Sequence, residues 1–189
     1  GNEKFTLKFA ENGQLSAVEF GEKSFALDRP EISFTIGGEY RSTIDLVNIN
    51  KNWASLKLFN AGTISPESEL LSHELVKTHD SVELRLNVRL GNFECRKSYR
   101  VNAERGGFVR GLEITNIGNF VNLRSVTMNF PKLEGFKPAI HVTSPVLLTD
   151  ESSTFAAWFD PRAEKTWLDG SLNCTIQVQN PLDNGDNVT

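Results

Sequence analysis

Between Ser81 and Pro131 the chain alternates in a way that leaves little freedom of fold. Val82, Leu84, Leu86, Val88 and Leu90 take turns without a break with Glu83, Arg85, Asn87 and Arg89. Successive side chains of an extended backbone point to opposite faces, so this order makes one oily face and one charged face. Gly91-Asn92 permits a tight reversal, and Phe93, Cys95, Tyr99 and Val101 then alternate with Glu94, Arg96 and Arg100. Ala103 to Gly107 turns the chain again, and Phe108 to Asn116 reads as a third strand. Three consecutive antiparallel strands with one wet face are the start of a β-sandwich or barrel.

The same period runs through the rest. Phe5, Leu7 and Phe9, the turn Asn12-Gly13, and Leu15, Val18 and Phe20 predict a hairpin. Phe25 and Leu27 lie on an edge-like strand that stops before Pro30, which has no N–H to give to a ladder. Ile32, Phe34 and Ile36 alternate up to Gly37-Gly38, and Ile44 to Val47 and Trp53 to Phe59 allow two more strands. Leu70, Leu71 and Leu75 would share a helical face, yet Leu71 to Thr78 is assigned as strand, because short apolar runs fit either period. Phe120 to Phe130, Ile140 to Thr143, Val146 to Leu148, Thr154 to Phe159 and Leu172 to Val178 complete the series. The expected fold is all-β, a single antiparallel β-sandwich domain over residues 1–180.

A chain of 189 residues can bury a core without metal or disulfide support. Its net charge of −4 lacks the basic stripe that nucleic acid requires. No apolar run approaches the roughly 18 residues that span a bilayer, so no membrane partner is expected. Cys95 falls in the apolar phase of its strand, which favours a buried free thiol, while a bridge to Cys174 stays open if their strands are neighbours. Gly1 opens the chain without Met or signal pattern and reads as a processed start. PLDNGDNVT at 181–189 is polar and turn-rich, and reads as a linker toward a further domain absent from this chain.

Chemistry-bearing residues are sparse. His73 and His79 are six positions apart, about 20 Å in extended chain, too far to share a metal unless a turn intervenes, and His141 is remote. No HExxH, paired CxxC, phosphate-cradling Gly loop or GxSxG occurs, so neither metal nor cofactor is expected. Asp150, Glu151, Asp160, Glu164 and Asp169 lie in a turn-rich region where solvated loop acids are the plain explanation and paired acid–base carboxylates the sharper one. Arg85, Arg89, Arg96 and Arg100, with Glu83 and Glu94, share the polar phase of two adjacent strands. They suit a solvated face, a contact to another domain, or a ligand surface for hydroxyls and carboxylates. FAAWFDPRAEKTW mixes aromatic and polar groups as a sugar site does, rings stacking on the sugar and polar groups bonding its hydroxyls. Trp158, Asp160, Arg162 and Trp167 are therefore the candidate carbohydrate contacts, against the alternative that each tryptophan, like Trp53, only packs.

The passage KSYRVNAERGGFVRGLEITNIGNFVNLRSVTMNFPKLEG resembles the large sandwich domains grouped with galactose mutarotase. The resemblance rests on Tyr99-Arg100-Val101, on the turn Thr115-Asn116-Ile117-Gly118, and on Phe130-Pro131. The opening Asn12-Gly13-Gln14-Leu15, followed by Val18 and Gly21, is similar to the hairpin that begins many such domains. The resemblance implies a supersandwich of the kind found as the N-terminal module of multidomain bacterial glycoside hydrolases. There it packs on a separate catalytic domain and can lend a loop to the substrate pocket. The mutarotases' own His-x-Tyr-Phe-Asn type motif is missing from His73-Glu74-Leu75 and from His141-Val142-Thr143, which argues against epimerase activity.

The expectation is a non-catalytic module of a carbohydrate-active enzyme, with carbohydrate and a covalently linked catalytic domain as partners and a periplasmic or secreted location. An independent carbohydrate-binding or adhesion module, and a self-contained sugar epimerase or polysaccharide lyase, are the alternatives.

Overall fold

A computed structural model describes residues 5–37, 62–102, 107–140, 146–149, 154–157, 162–168, 170–178 and 181–189. Every regular element among them is a strand, and every strand pairing is antiparallel. Among the described residues, no helix is long and apolar enough to cross a membrane. The expected strands at 44–47 and 53–59 lie outside the described residues.

The strands among the described residues form four sheets. The hairpin expected at the start is β1 (Phe5–Phe9) and β2 (Leu15–Phe20), extended by β3 (Lys23–Ala26). Its turn passes through Gly13 at φ 78°, where a Cβ would be strained. The organising run forms a second sheet from β6 (Ser68–Lys77), β7 (Ser81–Leu90), β8 (Phe93–Asn102), β9 (Phe108–Asn116) and β16 (Asn187–Val188), in the order β16-β9-β8-β7-β6. The facing sheet contains β4 (Ile32–Ile36), β5 (Gly62–Ile64), β10 (Leu123–Lys132), β14 (Glu164–Leu168) and β15 (Ser171–Gln177), in the order β14-β15-β10-β4-β5. A small sheet of β11 (Lys137–Ile140), β12 (Val146–Thr149) and β13 (Thr154–Ala157) completes the set.

The inner faces of the two five-stranded sheets make one core. Leu86, Val88, Leu90, Phe93, Cys95, Tyr99 and Ile114 from one sheet meet Ile32, Phe34, Leu123 and Val126 from the other. Phe34 and Phe93 stack across the gap with ring centroids 4.5 Å apart. The β1–β2 hairpin adds Leu15 and Val18 to the same core, and Phe9 stands edge-on to Tyr99 at 4.8 Å. Apolar alternation thus becomes a sandwich because it gives each sheet a single face to hide.

Residues 181–189, expected as a linker, lie against the sandwich. Leu182 is 5% exposed within the main core and bridges to Val121, and Asn187 and Val188 pair with Thr115 and Ile114. The fastener is Asn116, fully buried at the end of β9. Its Nδ2 donates to the carbonyls of Asn119, Leu182 and Asp183 at 2.9–3.2 Å, and its Oδ1 accepts from Gly118 N–H. Gly118 is needed because a Cβ there would stand 2.7 Å from Asn92 Cβ at the tip of the β7–β8 hairpin. The Thr-Asn-x-Gly sequence is therefore a joint between three segments of chain.

Candidate functional site

Of the four sequence candidates, Trp158 and Asp160 lie outside the described residues. Arg162 is exposed just before β14 and donates from Nη2 to the Thr189 carbonyl at 3.3 Å. Trp167 is not on a loop: it sits in β14, opposite Leu172, half-buried against a small cluster of Phe25, Phe136 and Leu172. Packing, the plainer alternative, is thus at least part of what this tryptophan does.

The remaining candidates scatter. His79 is fully exposed in a turn, 3.8 Å from Asp80, and His73 is exposed on β6. Glu164 is exposed on β14 within 3.5 Å of Gln177, while Asp150, Glu151, Asp169 and His141 lie outside the described residues. No three metal-ligating side chains converge among the described residues. Cys95 and Cys174 are both buried, on strands of opposite sheets, and no disulfide joins them. Burial pushes the Cys95 thiol up to about 12, although Lys97 nearby pulls the other way.

The charged phase of the organising sheet does face outward. Register sets Ser72, Asn87, Arg96 and Glu113 in one row across four strands, and Glu74, Arg85, Ser98 and Gly111 in the next. Asn87 Nδ2 donates to Ser72 Oγ at 2.8 Å. Arg85 reaches Glu83 at 2.8 Å and Glu74 at 3.5 Å, Arg89 reaches Glu69 at 3.4 Å, and Arg96 reaches Glu113 at 3.4 Å. These ion pairs are open to water, where solvent screening leaves each of them worth little. Ser72, His73, Glu74, Arg85, Asn87 and Arg96 outline a polar groove of about 450 Å³ between them.

A second set of ionisable groups occupies the opposite, inner face. Lys97 stands in phase with Cys95 and Tyr99, and Arg110 in phase with Phe108 and Leu112, so both cations point into the core. They meet Glu31, which precedes β4. Lys97 Nζ donates to Glu31 Oε2 at 2.8 Å and to the Gly13 carbonyl at 2.6 Å. Leu15 N–H donates to the same Oε2 at 3.0 Å. On the other oxygen, the Tyr99 hydroxyl donates to Oε1, and Arg110 Nη2 lies 2.8 Å away as an ion pair without hydrogen-bond alignment. Arg110 Nη1 donates to the Asn129 carbonyl at 3.3 Å, and its guanidinium lies 5.8 Å and 5.5 Å from the ring centroids of Tyr99 and Phe130. Asn129 in turn holds the backbone of 30–31, its N–H donating to the Glu31 carbonyl and its Nδ2 to that of Pro30.

Only 1% of the Glu31 and Lys97 side chains and 4% of Arg110 reach solvent. Burial by itself would raise the Glu31 carboxyl, but the pull of Arg110, then of Lys97, with hydrogen bonds from Lys97 and Tyr99, outweighs it and holds the pKa below the ordinary value. One carboxylate serves two cations, so compensation is incomplete: burial lowers the Lys97 pKa even with Glu31 beside it. Burial also raises Tyr99 well above its ordinary value, which keeps the phenol protonated and donating. Such a cluster ties β2, β4, β8, β9 and β10 to one point and offers no open position to a reactant.

The sequence pattern contained this site without its being read. Lys97 interrupts an apolar phase and Arg110 another, and a cation on the inner face of a strand demands a buried anion. Comparison with protein-family models, curated proteins and solved structures gave no match.

Proposed function

We propose that the chain is a non-catalytic β-sandwich module of a carbohydrate-active enzyme of the glycoside hydrolase kind. It buttresses a separate catalytic domain and contributes carbohydrate contacts from the segment 158–167. The observation that supports this best is where the ionisable groups are used. Glu31, Lys97, Arg110 and Tyr99 are closed off in the core, binding the sheets to each other, while Arg85, Arg89 and Arg96 on the outer face are paired and solvated. A scaffold requires that distribution, and hydrolysis would need carboxylates facing a cleft. The resemblance of the passage from Lys97 to Gly135 to supersandwich domains supplies the enzyme class.

Two measurements test the proposal. The natural polypeptide should exceed this chain by at least a barrel-sized domain of about 250 residues, and the chain alone should turn over no aryl glycoside, aldose or polyuronate. Turnover by the chain alone would overturn it. A freestanding carbohydrate-binding module is the second reading, favoured by the groove lined by Asn87, Arg85 and Arg96. It predicts saccharide binding on a broad glycan panel that Asn87→Ala and Arg96→Ala abolish, with no catalytic partner required.

A further inference from the structure

The register of the organising sheet adds a third outer row, Val76, Glu83, Arg100 and Val109, to the two already described. Over the three rows the charges cancel, Arg85, Arg96 and Arg100 standing against Glu74, Glu83 and Glu113. A face without net charge sets up no field to gather an ion of either sign. It does set strong donors beside strong acceptors, which suits a hydroxyl, since a hydroxyl both gives and takes a hydrogen bond.

The face is low in its middle. Ser98 stands between Arg96 and Arg100 along β8, and Gly111 lies opposite it on β9. The φ of Gly111 is outside the left-handed region, so the backbone does not require glycine there. Glycine inside a strand often marks a place that a ligand or another backbone approaches closely. A Cβ at Gly111 would meet Ser98 Oγ at 2.6 Å. Arg85 and Arg96, which flank Ser98, also line the groove, whose volume of about 450 Å³ is that of a small-molecule site, about 300–1,000 Å³.

The groove's polar groups still have bonds to give. Asn87 spends Nδ2 on Ser72, which leaves its Oδ1 to accept. Arg96 meets Glu113 through Nη1, which leaves Nε and Nη2 to donate. Side chains fixed before a ligand arrives lose little freedom in binding it. No aromatic ring stands on the three rows, so a ligand there is held through its hydroxyls and not by stacking.

We infer that this groove binds a neutral saccharide, gripped at its hydroxyls by Asn87 and Arg96, and does not select uronic acids. This deepens the second reading above, on which it rests, by naming the class of sugar.

Titrations followed by amide chemical shifts separate the classes, using neutral gluco-, manno- and galacto-oligosaccharides and oligomers of glucuronate and galacturonate. A neutral oligosaccharide should bind in about the millimolar range, shift amides of β7 and β8, and bind equally at low and high salt. Arg96→Lys keeps the charge but loses the planar fork, and should weaken binding about fivefold or more. Asn87→Ala should do the same, both with unchanged circular-dichroism spectra. Binding of uronates alone, falling steeply with salt, would overturn the neutral class and leave the second reading standing. Binding of no saccharide would overturn both. Neutral binding indifferent to both substitutions would put the sugar elsewhere and overturn the assignment.

Discussion

Lys97 and Glu31, 66 positions apart in the chain, meet at 2.8 Å where neither side chain reaches water by more than 1%. Arg110 shares the same carboxylate, so the buried charges sum to +1, from two cations and one anion. The imbalance ranks the mutations. Glu31→Gln leaves two buried cations unanswered and should cost at least about 3–5 kcal/mol. Lys97→Met leaves Glu31 matched one to one with Arg110 and strands only the Gly13 carbonyl, for a loss of about 1–3 kcal/mol. Urea denaturation of both variants checks the order, and equal losses would refute the account.

The same carboxylate sets a response to acid. Its pKa is lower in the folded chain than in the unfolded one, where a glutamate titrates at about 4.3. The stabilisation is therefore complete above that value and is lost as pH falls through the lower, folded value. Stability should decline as acid is added below the unfolded pKa, and the decline should be shallower in Glu31→Gln. Paired denaturation series at stepwise lower pH give the two slopes. Parallel slopes would remove Glu31 from the acid response.

Asn116 is the joint that holds the last segment. Asn116→Ala removes the donor to three carbonyls and should cost about 2–4 kcal/mol. Hydrogen exchange should show the reciprocal amides of Val121 and Leu182 opening before the amides of β7 and β8. Protection of Val121 and Leu182 equal to the wild type would show that the segment is held by other means.

Neither thiol should react in the folded chain. Cys95 combines complete burial with a pKa pushed up to about 12, so its nucleophilic thiolate is scarce near neutrality. Ellman's reagent at pH 8 should find no fast thiol in the native chain and both thiols in denaturant. One rapid equivalent before unfolding would contradict the burial of Cys95 and Cys174.

Strands with a strict period of two could be read directly, β7 and β8 above all. The harder segments failed for identifiable reasons. Leu70 pairs with Val88 and Leu75 with Leu84, both facing inward, yet they are five apart because the irregularity between Leu70 and Ser72 adds a residue. Odd spacing of that kind imitates a helix. In β14 the sequence EKTWL offers no alternation, and its pairing comes from the neighbouring β15. Leu182 is one apolar residue in a polar run, so no periodicity announces its place in the core. The buried cluster left a trace at Lys97 and Arg110, but Glu31 sits between Pro30 and β4, where nothing in the order of residues marks it as their counter-charge.

Because side chains along a strand change face at every step, sliding β8 by a single residue would swing Lys97 out into water and turn Arg96 inward. Glu31 would then face a cation rooted one position away, with Tyr99 gone from its other oxygen. Near-miss alignments of this sandwich are thus penalised by an unneutralised ion as well as by exposed oil. A purely greasy interface would tolerate many neighbours of the native arrangement, whereas this one singles out its own.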